Sequence, residues 1–518
     1  VVAAGSPEAA EAGAAVLEEG GNAVDAAVAV SLVLGVTEPA GSGIGGQSTF
    51  LIHRGGDDPL VINGSSRAPA GVPAGATMSD LVGLRATTVP STLKVLDLAW
   101  RRFGSGRLSW TRLVQPAVNH AEEGYPLGPF RCRALMRNAK SIRRDGPATQ
   151  LLLAADGTVP EEGVLMRNPQ LAQVLRRIAA EGAEDFYQGQ IARQVAEDVQ
   201  DRGGWLTLED LQQTGEPPVL PALSGTYRRW QVHTLPPPAA GWVVLLALNL
   251  LEQAPEGELA TEGGRRLCWI AEALTVAHRH RVQRPIPDLV HYRQPIEERL
   301  DKDRARRTVR ALIRDGGETT HFSVADAEGT VVAVTQSLNA YFGARVVTPG
   351  LGFLYNDYMR EFVVGVERHP FALRPGGMPY SSMSATILAR DGWPQLGLGS
   401  PGDDRIISAV VNVASHWSDV RRGVAAAVAA PRVHSLPGEE VLLETRPADP
   451  RVLLRLEQRG YALHMPLTSL FSGELNPYFG GVHAVAREGE RWVGAADPRR
   501  DGAVAHPRQE DEESSPNA

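Results

Sequence analysis

A mixed fold of helices and antiparallel strands is predicted by two stretches of this sequence. At the start of the chain, capping residues bracket two apolar runs. About three fifths along, Glu318–Val324 and Thr330–Leu338 flank the turn Asp326-Ala327-Glu328-Gly329. Composition frames both. With 43% apolar and 22% charged residues, the 518-residue chain reads as a soluble globular protein with core enough for two or more domains. A net charge of −8 without a basic block argues against a nucleic-acid partner. Cys132 and Cys268 cannot build a disulfide framework, and both are expected reduced in packed surroundings. The first residues carry no basic, apolar signal pattern, so a cytoplasmic location is the default expectation, with a removed export signal as its alternative. The apolar run 23–36 is too short to span a bilayer and contains Asp25, so no membrane partner is expected.

Ser6-Pro7-Glu8 opens a helix: Ser caps it, Pro takes the first turn, and the acid suits that end. Gly20-Gly21 ends it. Asn22 caps a second helix, Ala23 to about Gly35, apolar on most faces and expected to be buried. Gly41, Gly43 and Gly46 then form a G-x-G-x-x-G pattern. A dinucleotide loop needs a strand before it and a helix after it; here a helix precedes and the strand-like Ser48–Ile52 follows. The glycines are expected instead to permit close backbone packing beneath an active site. His278 and His280, two apart on a helix, face different ways and are read as surface or packing residues, not metal ligands. No spacing suggests a metal or an organic cofactor. The end of the chain, from about residue 505 to 518, is polar and acidic and is expected to be disordered.

In the mid-chain hairpin, Thr319, His321, Ser323 and Ala325 point one way; Thr320, Phe322 and Val324 point the other. A tip near residues 327–328 makes paired positions sum to about 656. Ser337 then lies across from Thr319, with Asn339 one step beyond on the same face. Two hydroxyls and an amide meet at the open end.

Thr319-Thr320-His321-Phe322-Ser323-Val324, Thr335-Gln336-Ser337-Leu338-Asn339 and Tyr341-Phe342-Gly343 resemble the processing site of γ-glutamyltranspeptidases, which are N-terminal nucleophile hydrolases. Gly20–Ala27, Thr88-Val89-Pro90-Ser91, Leu113–Ala117, Ala121–Pro126, Phe186–Gly189, Leu206–Leu211 and Pro236-Pro237-Pro238 extend the likeness, as do Tyr380–Ser384 and Gly399–Arg405. The resemblance spans roughly residues 1–503. It implies an α+β fold, a four-layer αββα sandwich with two antiparallel sheets between helical layers. It also implies cleavage between Glu318 and Thr319 into fragments 1–318 and 319–518 that stay together as a heterodimer.

A Thr hydroxyl is a poor nucleophile without a base beside it. The resemblance supplies one: Thr319 first cuts its own chain, and its freed α-amine, which titrates near 8 in model peptides, becomes the base. Gly316-Gly317 would allow the bend this attack needs. By resemblance, Ser337 holds the Thr319 rotamer where the family usually has Thr, Asn339 positions substrate, and the N–H groups of Gly402 and Asp403 form the oxyanion hole. The family usually has a second Gly at position 403. A carboxylate there would oppose an oxyanion unless it points away.

The pattern breaks where the family grips a γ-glutamyl head. The carboxylate-binding Arg aligns with Ser65, Tyr358 stands where Gln or Glu is usual, and Glu361 replaces an Asp; Ser381 and Ser382 are retained. Arg67, two residues from Ser65, would face the same way on an extended segment and could replace the missing cation. The sequence thus supports three readings. The first is a self-processing hydrolase or acyltransferase with an altered acyl pocket and a small-molecule acyl or amide substrate, such as a tailoring enzyme of natural-product biosynthesis. The second is a true γ-glutamyltransferase or glutathione hydrolase. The third is an inactive scaffold relative.

Overall fold

Local signals at the N-terminus are met by the backbone they predict. In the computed structural model of the protein, which describes residues 1–286, 289, 291–300, 318–436, 438, 440–447, 449–466 and 475–508, Pro7–Glu18 is a helix whose first turn is closed by Ala9 N–H donating to Ser6 Oγ at 3.2 Å. Asn22 and Asp25 form a reciprocal cap on the helix Ala23–Thr37, which runs two residues past the expected Gly35. That helix is apolar all round, and all its residues but Gly35 are buried.

It is buried because the hairpin lies on it. Phe322, Val324, Val332 and Val334 share one core with the helix, and Gln336 exchanges side-chain hydrogen bonds with Ser31. Burying each of these side chains contributes about 1.5–3 kcal/mol. The opposite face of the hairpin, through Ala325, Val331 and Ala333, meets Ile387 and Val485 of a second sheet.

The first sheet has seven strands in the order Ala503–Ala505, Val2–Ala4, Glu318–Ala325, Val331–Asn339, Gln47–His53, Leu60–Asn63, Val219–Pro221. The second has six: Arg491–Ala495, His483–Glu488, Trp393–Gly399, Thr386–Arg390, Trp230–Thr234, Leu223–Tyr227. Every pairing in both is antiparallel. The outer face of the second sheet, with Leu388, Leu396 and Leu398, packs on the helices Gly241–Leu251, Gly264–Gln283 and Arg405–Ser415. Segments before and after residue 318 both contribute strands to each sheet. Neither portion therefore has a complete sheet alone.

The strand after Asn22-Ala23 and the glycine run is Gln47–His53, as a non-dinucleotide loop requires. Cys132 and Cys268 are buried free thiols. His278 and His280 are both buried; His278 Nε2 lies 3.3 Å from Ser408 Oγ and its ring meets His434 edge-on. Ala505 ends a strand, and residues 509–518 of the expected tail lie outside the described residues, as do Gly316 and Gly317. Among the described residues, no helix is long and apolar enough to cross a membrane.

Candidate active site

The hairpin register runs as the turn dictates, from Val331 opposite Ala325 to Gln336 opposite Thr320. Asp326 fixes the turn by accepting Thr330 N–H at 2.8 Å, and Gly329 supplies the positive φ of 85°. The register then shifts, so that Asn339 rather than Leu338 faces Glu318. Asn339 adopts φ 78° at this irregularity, which turns its side chain into the site.

Thr319 Oγ1 donates to Ser337 Oγ at 3.2 Å, and Asn339 N–H donates to the same oxygen at 2.7 Å. The glycine run lies beneath. A Cβ on Gly41 would come within 2.5 Å of Thr320 Oγ1, and one on Gly46 within 2.4 Å of Ser337 O. His321, on the Thr319 face, is held between Thr335 and Ser323 hydroxyls at 3.0 Å each. Burial pushes its pKa well down, so it is a neutral packing residue.

Thr319, Asn339, Tyr358, Glu361, Ser381, Ser382 and Asp403 line one narrow cleft, with Tyr380 and Met383. Gly402 and Asp403 lead into the helix Arg405–Ser415 with φ of 119° and 57°. Among the described residues their backbone N–H groups have no acceptor. Two adjacent free donors beside a hydroxyl are the arrangement that binds a developing oxyanion.

Ser65 and Arg67 do not line the cleft. The Ser65 hydroxyl donates to Asn63 Oδ1 at 2.7 Å. Arg67 is exposed and donates to Gly376 O at 3.1 Å, because the segment pairs with Val89 and carries the side chain outward. Ser66, between them, reaches Gln47, which contacts Tyr358.

Tyr358 instead fills the region, close to Ser337, Gln47 and Ser381, with its pKa raised by burial. Glu361 accepts from Asn339 Nδ2 at 3.1 Å. Burial, then the nearby Asp404 and Asp357, push its pKa up to about 7. Asp403 is buried with Oδ2 unpartnered. Burial and the adjacent Asp404 raise its pKa well above the usual carboxylate range. This shift favours the neutral form, which weakens the opposition that a carboxylate here would offer to an oxyanion.

Sequence reasoning missed Arg281. On the helix Gly264–Gln283, it pairs with Asp404, donates to Ser382 Oγ at 2.8 Å, and stacks 4.1 Å from the Tyr380 ring centre. Against the cost of burial, it keeps Asp404 charged. A signal existed: Arg281 lies three residues beyond His278, on the same buried helix face.

Fold and site together define an α+β hydrolase of the N-terminal nucleophile kind. The gamma-glutamyltranspeptidase family profile matches residues 9–506, and the chain belongs to that family. A glutathione hydrolase proenzyme of Pseudomonas sp. (strain A14) is 30% identical over 95% of this chain and 91% of its own length. The acylase ACY 1 proenzyme of Pseudomonas sp. (strain V22) is 32% identical over 86% of this chain and 84% of its own. The crystal structure of cephalosporin acylase from Bacillus halodurans superposes with a TM-score of 0.86 at 27% identity, covering 98% of this chain and 96% of that one.

Proposed function

We propose that the chain is a self-processing hydrolase or acyltransferase whose nucleophile is Thr319 and whose acyl pocket is rebuilt for a group other than γ-glutamyl. The observation that carries this reading is the cleft beside Thr319. Two carboxyl groups, those of the half-buried Glu361 and the buried Asp403, line it, and no arginine or lysine among the described residues does. Arg281 is committed to Asp404, and Arg67 faces outward. A substrate carboxylate buried here without a cation would cost about 3–5 kcal/mol. Relatives of similar identity include an acylase proenzyme as well as glutathione hydrolases, which supports an acyl group of different chemistry. A tailoring role in natural-product biosynthesis is one setting for such a substrate.

In this reading Thr319 Oγ1 attacks the Glu318 carbonyl, the C–N bond breaks to leave an ester and a free Thr319 α-amine, and water hydrolyses the ester to the Glu318 carboxylate and the Thr319 hydroxyl. Fragments 1–318 and 319–518 stay associated through their shared sheets, taken as the αββα sandwich of the family. In turnover the α-amine takes the Oγ1 proton as Thr319 attacks the substrate amide, and passes it to the leaving amine. Ser337 orients the hydroxyl, and the Gly402 and Asp403 N–H groups receive the oxyanion. The second such donor is worth about 3 kcal/mol. Water, or an acceptor amine, then takes the acyl group from the ester.

Intact mass of the purified protein and release of chromophore from a γ-glutamyl anilide test this together. Full processing with slow release is expected. Rapid release would reject the rebuilt pocket and favour a glutathione hydrolase, the reading supported by the names of the relatives. An uncut chain would favour an inactive scaffold.

A further inference from the structure

The turn Tyr358–Glu361 has two working faces. Tyr358 and Glu361 line the acyl cleft, whereas Asp357 and Arg360 line a separate, more open cleft of about 580 Å³. Five arginines face this second cleft against two aspartates, in a chain whose net charge is −8. Two of the five are committed. Arg202 pairs with Asp145 and Asp198, and Arg85 donates to Gly203 O at 2.8 Å.

Arg144, Arg345 and Arg360 remain. Arg144 is exposed and makes no side-chain hydrogen bond or ion pair among the described residues. Arg360 is exposed and touches only Leu81 O, at 3.4 Å. Arg345 is half-buried; one Nη donates to Asn138 Oδ1 at 3.2 Å, and its buried Nε has no partner. Burial lowers the Arg345 pKa, and the repulsion of Arg360 and Arg144 adds to this, while Asp357 opposes it. Asp357 is itself buried and already accepts Ala340 N–H at 2.9 Å. Three guanidinium groups thus share one carboxylate with its own donor.

We propose that this cleft binds a small multivalent anion, a phosphate ester or a polycarboxylate, through Arg144, Arg345 and Arg360. Guanidinium forks match the paired oxygens of both groups, and a recess with excess positive charge concentrates such ligands. The walls, formed by segments 82–86, 141–145 and 343–346, suit a compact ligand rather than a polymer. The site does not depend on the identity of the acyl substrate.

Calorimetric titration of the full chain with pyrophosphate, citrate and acetate at constant ionic strength tests the proposal. Saturable one-to-one binding of pyrophosphate or citrate is expected, with acetate silent; the tighter of the two names the ligand class. Arg144→Ala should weaken binding by about tenfold, and Arg144→Ala/Arg360→Ala should abolish it, with unchanged circular dichroism. Absence of saturable binding by both probes, or equal binding by parent and double variant, overturns it.

Discussion

The two ends of the acyl cleft are built in opposite ways. The Thr319 end is made of paired strands: Thr319 and Ser337 meet just where a ladder of backbone hydrogen bonds, regular up to Gln336 opposite Thr320, shifts register. The head-group end is made of loops, and its defining feature is charge. Among the described residues neither Glu361 nor Asp403 has an ion-pair partner, and both lie next to an Arg281–Asp404 pair that is satisfied. Chemistry common to a family can rest on the first kind of structure, since strand pairing tolerates change around it. Choice of substrate rests on the second, where one altered charge changes what can be buried.

The sharpest way to break this comparison is Thr319→Ala. It should leave one uncut chain by mass spectrometry and lower turnover by about four orders of magnitude or more. Cleavage at residue 318 in that variant would remove the hairpin from the mechanism.

At the charged end, Arg281→Met should cost about 3–5 kcal/mol in urea unfolding, because Asp404 is left buried beside two other acids. Glu361→Gln should act in the other direction. Between the ordinary carboxylate range and about pH 7, the folded chain keeps a proton on Glu361 that the unfolded chain has released, so stability from this residue falls as pH rises. The variant should gain up to about 3 kcal/mol near pH 8 and nothing near pH 4, measured by denaturant midpoints. An equal gain at both pH values would mean that Glu361 is not a buried acid.

Tyr358→Phe probes the join of the two ends, since Tyr358 lies close to both Ser337 and Ser381. About 1 kcal/mol of stability should be lost, with kcat falling more than KM rises. Arg67→Ala, outside the cleft, should change stability by no more than about 0.5 kcal/mol and leave kcat/KM alone. A large loss of kcat/KM would return Arg67 to substrate binding.

By itself, the sequence determined what is local. Helix caps at Ser6 and Asn22, the turn at Asp326–Gly329 and the two-residue alternation of the hairpin are set by neighbouring residues, so the meeting of Thr319 with Ser337 was legible. So was the need for glycine at 41 and 46, where strand backbone and side chains come too close for a Cβ. The family resemblance located the loops at 358–361, 381–382 and 402–403. Only the tertiary structure decided what those loops do electrically. Arg281 reaches Asp404 across more than a hundred residues, Arg67 turns outward because its segment pairs with Val89, and burial beside Asp404 raises the pKa of Asp403. Backbone geometry follows from a few adjacent side chains. The charge of a buried group follows from everything packed around it, and that is known only once the chain has folded.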